Sequence, residues 1–113
     1  MEHENRDEVI RKKVLNEINE ISQFTCAADE SDFLANKMMQ KAVIMSLINI
    51  GELTKAFSEE YTAGITDVTW RDIRGFRNIA AHHYGKIDMR DVWKTVQEDI
   101  PLLKQKLTEY TAR

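Results

Sequence analysis

The chain has 113 residues, of which 42% are hydrophobic and 31% charged, and its net charge is −3. This length suits a single domain, 1–113, with one core and no room for a second. The composition excludes a disordered chain, and the charge excludes a general electrostatic pull on nucleic acid. Four Gly and one Pro are too few turn residues for a many-stranded fold. An all-α, antiparallel four- to five-helix bundle is expected.

Targeting signals are scarce. Residues 1–5 are acidic and polar and lack the apolar core of a signal peptide. The most apolar run, 42–50, contains Ser46 and Asn49 and is far shorter than the roughly 20 residues of a membrane span. The lone Cys26 excludes an internal disulfide framework and suits a reducing cytosol. With Thr25 and Ala27 beside it, Cys26 reads as a small packing residue. A cytoplasmic protein without membrane association is expected.

In chain order, residues 5–25 predict a first helix. Val9, Ile10, Val14, Ile18, Ile21 and Phe24 recur at steps of three and four. Arg11, Lys12 and Lys13, flanked by Glu8 and Glu17, read as a solvated face with charge pairs one turn apart. Asp29-Glu30-Ser31-Asp32 punctuates the chain. Ser31 or Asp32 is the expected N-cap of a long second helix reaching about Glu59. That helix carries two apolar stripes. Leu34, Met38, Ala42, Met45 and Ile48 form one, and Val43, Leu47, Ile50 and Phe57 the other. Two stripes require burial on two sides, so a homodimer through the long second and third helices is expected. The methionine stripe reads as core, not as a ligand box. Asn49 and Glu52 interrupt the stripes. They are either wetted edge residues or, for Glu52, a carboxylate that positions a cation or imidazole. Gly51 costs helix stability relative to Ala, which close helix packing would explain.

Residues 61–69 read as a loop containing Gly64. Thr69 is expected to cap a third helix, 70–82, with Asp72 completing a capping box. On a wheel of about 100° per residue, Trp70, Ile73, Phe76 and Ala80 share one side. Arg71, Arg74, Asn78 and His82 share another. Arg77 falls between Trp70 and Ile73, in the apolar sector, where an unpaired charge is costly. Asp88 is expected to cap a fourth helix bearing Met89, Val92, Trp93, Val96 and Ile100. Pro101 should kink or restart it near Asp99, and Leu102, Leu103 and Leu107 continue its apolar face.

The stretch Arg77-Asn78-Ile79-Ala80-Ala81-His82-His83-Tyr84 admits two readings. Structurally, Arg77 closes an ion pair while His82 and His83 cap a helix C-terminus. Functionally, Arg77 offers a planar cation matched to phosphate and His82 a proton-transfer group near neutral pH. Arg71, Arg74, Arg77 and Lys86 against Asp72 leave +3 over residues 71–86, so RNA contacts are expected there, with His83 among them. His82 and His83 are adjacent and diverge by about 100°. They do not form an evident metal pair, and no metal site is expected.

Arg77-x4-His82-x-Tyr84, with Asn78 after the arginine, resembles the signature of HepT-like toxins in the HEPN ribonuclease superfamily. Ile50-Gly51-Glu52 upstream, Trp70 to Ile73 before the motif, and Ile87-Asp88 with Val92-Trp93 after it fit the same layout, so the resemblance covers most of the chain. It implies a metal-independent endoribonuclease toxin of a type VII-like toxin–antitoxin pair, without a cofactor. Arg77 and His82 would be catalytic at a composite homodimer site, supported by Asn78 and Glu52. It also implies a partner, a nucleotidyltransferase antitoxin of the MNT type, that neutralises the toxin by AMPylation of Tyr84. The other class open to such a chain is a non-catalytic HEPN-type scaffold for a nucleotidyltransferase.

Overall fold

The computed structural model describes the backbone of residues 2–76, 78 and 84–110, and the side chains of 6–76, 78 and 85–110. The elements are α1 (Glu2–Phe24), α2 (Glu30–Ala35), α3 (Lys37–Thr54), α4 (Glu59–Ala63) and α5 (Trp70–Gly75). A 3-10 turn at Tyr84–Lys86 precedes α6 (Met89–Lys94), a π-helical turn at Thr95–Asp99, and α7 (Ile100–Glu109). Among the described residues there is no strand, and the architecture is an all-α bundle.

The central pairing is α1 along α3. Ile10, Val14, Ile18 and Ile21 of α1 meet Val43, Leu47 and Ile50 of α3 in one buried cluster. Burying each such side chain contributes about 1.5–3 kcal/mol. Val9 and Phe24, expected on the same face of α1, stand at 49% and 37% exposure, because they lie at the borders of a stripe already filled by the isoleucines. α5 packs on α3, α7 on α1, and α2 against both α3 and α6. Trp93 lies half-buried with its ring 5.2 Å from that of Phe33.

The expected long second helix is divided. Asn36, at φ −119 and ψ 97, is extended. Its side chain accepts the Met39 N–H at 3.0 Å and so starts α3. Gln40 Nε2 donates to the carbonyls of Phe33 and Leu34 at the end of α2. Asp29, not Ser31 or Asp32, is the cap of α2. It accepts from Asp32 N, and Asp32 accepts from Asp29 N, a reciprocal capping box.

α3 ends at Thr54, and a short α4 occupies part of the expected loop. Ser58 caps α4, accepting from Tyr61 N at 3.2 Å. Ser58 is itself held by Asp7, which is only 6% exposed and accepts from Ser58 N at 2.8 Å and Ser58 Oγ at 2.6 Å. Thr69 occupies the N-cap of α5 but makes no side-chain cap bond. Its ψ of 86 is short of the extended value that aims a capping oxygen at the first turn. The Thr69–Asp72 capping box therefore does not form.

Asp88 caps α6 as expected, accepting from Arg90 N at 2.9 Å. Pro101 lies in the first turn of α7, where its missing N–H removes little. The chain reaches it through a π turn closed by Ile100 N–H to Thr95 O. The wider turn takes in one extra residue and relieves the clash a proline makes with the preceding helical turn. Leu103 and Leu107 are buried beyond it, while Leu102 is exposed. Arg11 Nε donates to the Leu107 carbonyl at 2.8 Å, binding α1 to the end of α7.

Two further expectations are corrected. Met38 and Met45 are 82% and 58% exposed. Both lie outside the buried cluster, whereas Leu34 and Ile48 of the same stripe pack against it. Cys26 is exposed, because it lies in the turn after α1, beside Ala27 at φ 61.

Candidate functional site

Helix α5 leads into the motif and is fixed at its start by Trp70. The Trp70 indole N–H donates to the carbonyls of Thr62 and Ile65, each at 3.1 Å. Its ring meets Phe57 edge-on, and Phe57 stacks on Tyr61. Ile73 and Phe76 are buried and turn one side of the segment toward α3. Arg71 and Asn78 are exposed and Arg74 is half-buried, so the described part of the two-sided wheel matches expectation. Arg74 Nε is buried without a hydrogen-bond partner among the described residues. Lys106 and Asp67 pair at 2.8 Å, tying α7 to the loop before α5. Asp67 raises the Lys106 pKa by hydrogen bond and charge.

Arg77, His82 and His83 lie outside the described residues. Tyr84 opens the 3-10 turn, and its side chain is outside them too. Between α3, the end of α5 and α6 the structure forms a cavity of about 410 Å3 lined by Leu47, Gly75, Asn78, Lys86, Ile87, Asp88, Asp91, Val92 and Thr95. Asn78 and Lys86, both expected at the site, are thus brought together. Gly75 and Asn78 bracket Arg77 in the chain.

Glu52 is on α3. It lines a groove of about 500 Å3 between α1 and α3, with Lys12, Lys13, Asn16, Glu17, Asn49 and Leu53. Asn49 Nδ2 donates to Glu17 Oε2 at 3.4 Å, and Glu17 Oε1 is buried without a partner among the described residues. Among the described residues no three His, Cys, Asp or Glu side chains cluster to hold a metal ion. No helix among them is long and apolar enough to cross a membrane.

Asp91 and Thr95 were not singled out in the sequence. Their signal was available: Asp91 is three residues after the cap Asp88, so both project from one side of the first turn of α6.

The fold and this arrangement define a small helical protein with a polar cleft beside a cation-bearing helix. The family described as ribonuclease HepT-like matches residues 14–110, and the chain belongs to that family. It is 40% identical over 86 residues to a "Probable ribonuclease HepT" of Thermococcus cleftensis, covering 76% of this chain and 78% of the relative. It is 35% identical over 94 residues to a "Putative RNase" of Methanocaldococcus jannaschii, covering 83% and 86%. No solved structure matches.

Proposed function

We propose that the chain is a metal-independent endoribonuclease, the toxin of a toxin–antitoxin pair. The observation that carries this reading is the HepT-like ribonuclease match over residues 14–110, a span that contains Arg77-x4-His82-x-Tyr84. RNA cleavage without metal needs the 2′-hydroxyl deprotonated, charge on the phosphorane stabilised, and the leaving oxygen protonated. In this reading Arg77 binds the phosphate and stabilises the charge. His82 moves the proton. Asn78 orients the substrate, Glu52 supports the site, and Arg71, Arg74, His83 and Lys86 contact RNA.

One copy of the motif supplies one arginine and one motif histidine, which leaves a proton transfer without a group. Two copies in a homodimer supply both. The exposed Met38 and Met45 support such an assembly, since apolar ridges of this kind mark contact surfaces. Control would come from a nucleotidyltransferase antitoxin. The Tyr84 phenol oxygen attacks the α-phosphate of ATP, pyrophosphate leaves, and the phenol proton is lost. The added phosphate charge next to the motif would oppose RNA binding.

The test is an RNase assay in EDTA with wild type, Arg77→Ala and His82→Ala. Cleavage should fall by roughly 10²-fold or more in each variant, with helicity and oligomeric state unchanged. A His82→Ala protein that cuts as well as wild type overturns the assignment. For Tyr84, mass spectrometry after incubation with the partner and Mg-ATP should show an adenylate-sized gain on the peptide containing it. No gain removes that part.

A further inference from the structure

Besides Asn78 and Lys86, the 410 Å3 cavity carries side chains to which the cleavage chemistry gives no role. Its floor is apolar, made by Leu47, Ile87 and Val92, and its rim is polar, with Asn78, Lys86, Asp91 and Thr95. Beside Gly75 there is open space: a Cβ built there meets nothing within 4 Å. An apolar slot with a few convergent polar groups is the usual form of a small-ligand site, and this volume falls in that range. A flat nucleobase fits the floor, and an ammonium at the rim fits its phosphate.

The rim acids differ in availability. Asp88 Oδ1 is occupied by its capping bond from Arg90 N. The Asp91 carboxylate is exposed and engaged in no hydrogen bond or ion pair among the described residues. A carboxylate only accepts hydrogen bonds. It therefore selects bases by the N–H groups they display. Guanine presents N1–H and N2–H side by side, matching both oxygens of one carboxylate. Uracil presents a single N3–H between two carbonyl oxygens, which the carboxylate repels.

We propose that this cavity is a nucleobase-binding subsite of the RNA site, in which Asp91 selects guanine over uracil and Lys86 holds the adjoining phosphate. The proposal rests on the ribonuclease reading for its place in catalysis, but the binding itself does not. Asp91 is a specificity residue and takes no part in bond breaking.

Two measurements test it. The first is amide NMR titration of wild type and Asp91→Asn with 5′-GMP and 5′-UMP. GMP should shift the Gly75, Asn78 and Thr95 amides at concentrations about tenfold below those UMP needs, and Asp91→Asn should erase that difference. Shifts absent from these three amides, or equal for GMP and UMP in wild type, overturn the subsite whether or not RNA is cut. The second is cleavage of oligoribonucleotides that differ at one position, G against U. Asp91→Asn should reduce a preference of about tenfold to near unity by lowering cleavage of the G substrate toward that of the U substrate. If wild type cuts with a G preference that Asp91→Asn keeps, the role of Asp91 is overturned and the ribonuclease reading stands. If wild type cuts nothing, the ribonuclease reading falls and the titration alone decides the subsite.

Discussion

Asp7 is the acidic residue on which the site-bearing half of the fold leans, and its replacement gives a sharp test. Its carboxylate accepts from Ser58 N at 2.8 Å and Ser58 Oγ at 2.6 Å and is nearly buried at 6% exposure. Ser58 starts α4, and the α4 carbonyl of Thr62 receives the Trp70 indole that begins α5. Hydrogen bonds to a charged group contribute about 1.5–3 kcal/mol each. Ser58 is half-buried, so water replaces part of what Asp7→Ala removes. The net loss should be about 2–4 kcal/mol, a large share of the roughly 5–15 kcal/mol that stabilises a domain. With a urea m-value of about 2 kcal/mol/M, the midpoint should fall by about 1–2 M. Ser58→Ala loses the Oγ bond and the cap, about 1–2 kcal/mol. The double variant should fall short of the sum by about 1 kcal/mol, because both lesions share one bond. A midpoint shift under about 0.3 M for Asp7→Ala, or strict additivity, would refute the link from α1 to α4.

Tyr61 is buried, its hydroxyl has no hydrogen-bond partner among the described residues, and burial foremost pushes its pKa up to about 12. The neutral phenol is thus favoured in the folded state. The stability this represents is intact below about pH 10, the ordinary phenol value, and is lost as the pH rises from there through about 12. Urea midpoints should therefore decline between pH 10 and 12, and Tyr61→Phe should remove the latest-ionising phenol from a 295 nm titration and flatten that decline. Met45 is 58% exposed, so Met45→Arg should leave the thermal midpoint within a few degrees of wild type. In sedimentation it should shift the chain toward a monomer if the ridge is the contact between copies; an unchanged dimer would place that contact elsewhere.

The sequence discloses the parts of this fold that depend on spacing. The Ile10–Ile21 stripe, the Val43–Ile50 stripe, the Asp88 cap and the restart of the helix near Asp99 at Pro101 follow from periodicity and from what a proline lacks; the π turn that makes the restart does not. Breaks decided by a single backbone angle are hidden. Asn36 lies in phase with a continuous helical pattern, and only its extended conformation shows that it ends α2 and caps α3. Ser58 has the look of an ordinary loop serine until Asp7, 51 residues earlier, is found against it. Exposure of the methionines was hidden for another reason: periodicity states that a face is apolar, not what covers it. Near the motif, Asn78 and Lys86 line one cavity, and Glu52 lines a groove between α1 and α3; spacing alone does not say which side chains share a cavity.

The widened turn at Thr95–Asp99 also governs how this protein can change length. One residue more or fewer in a regular helix rotates everything downstream by about 100°. Val92 ahead of the turn and Val96 within it are buried, and after it Ile100, Leu103 and Leu107 are. Here the wide turn already absorbs one extra residue, so trimming a residue from 95–99 would return it to ordinary helical width and leave that trio facing the interior. The Leu107 carbonyl would stay within reach of Arg11. The segment can therefore lose one residue without re-phasing the apolar positions that follow it, whereas a loss elsewhere in the helix could not be absorbed in this way.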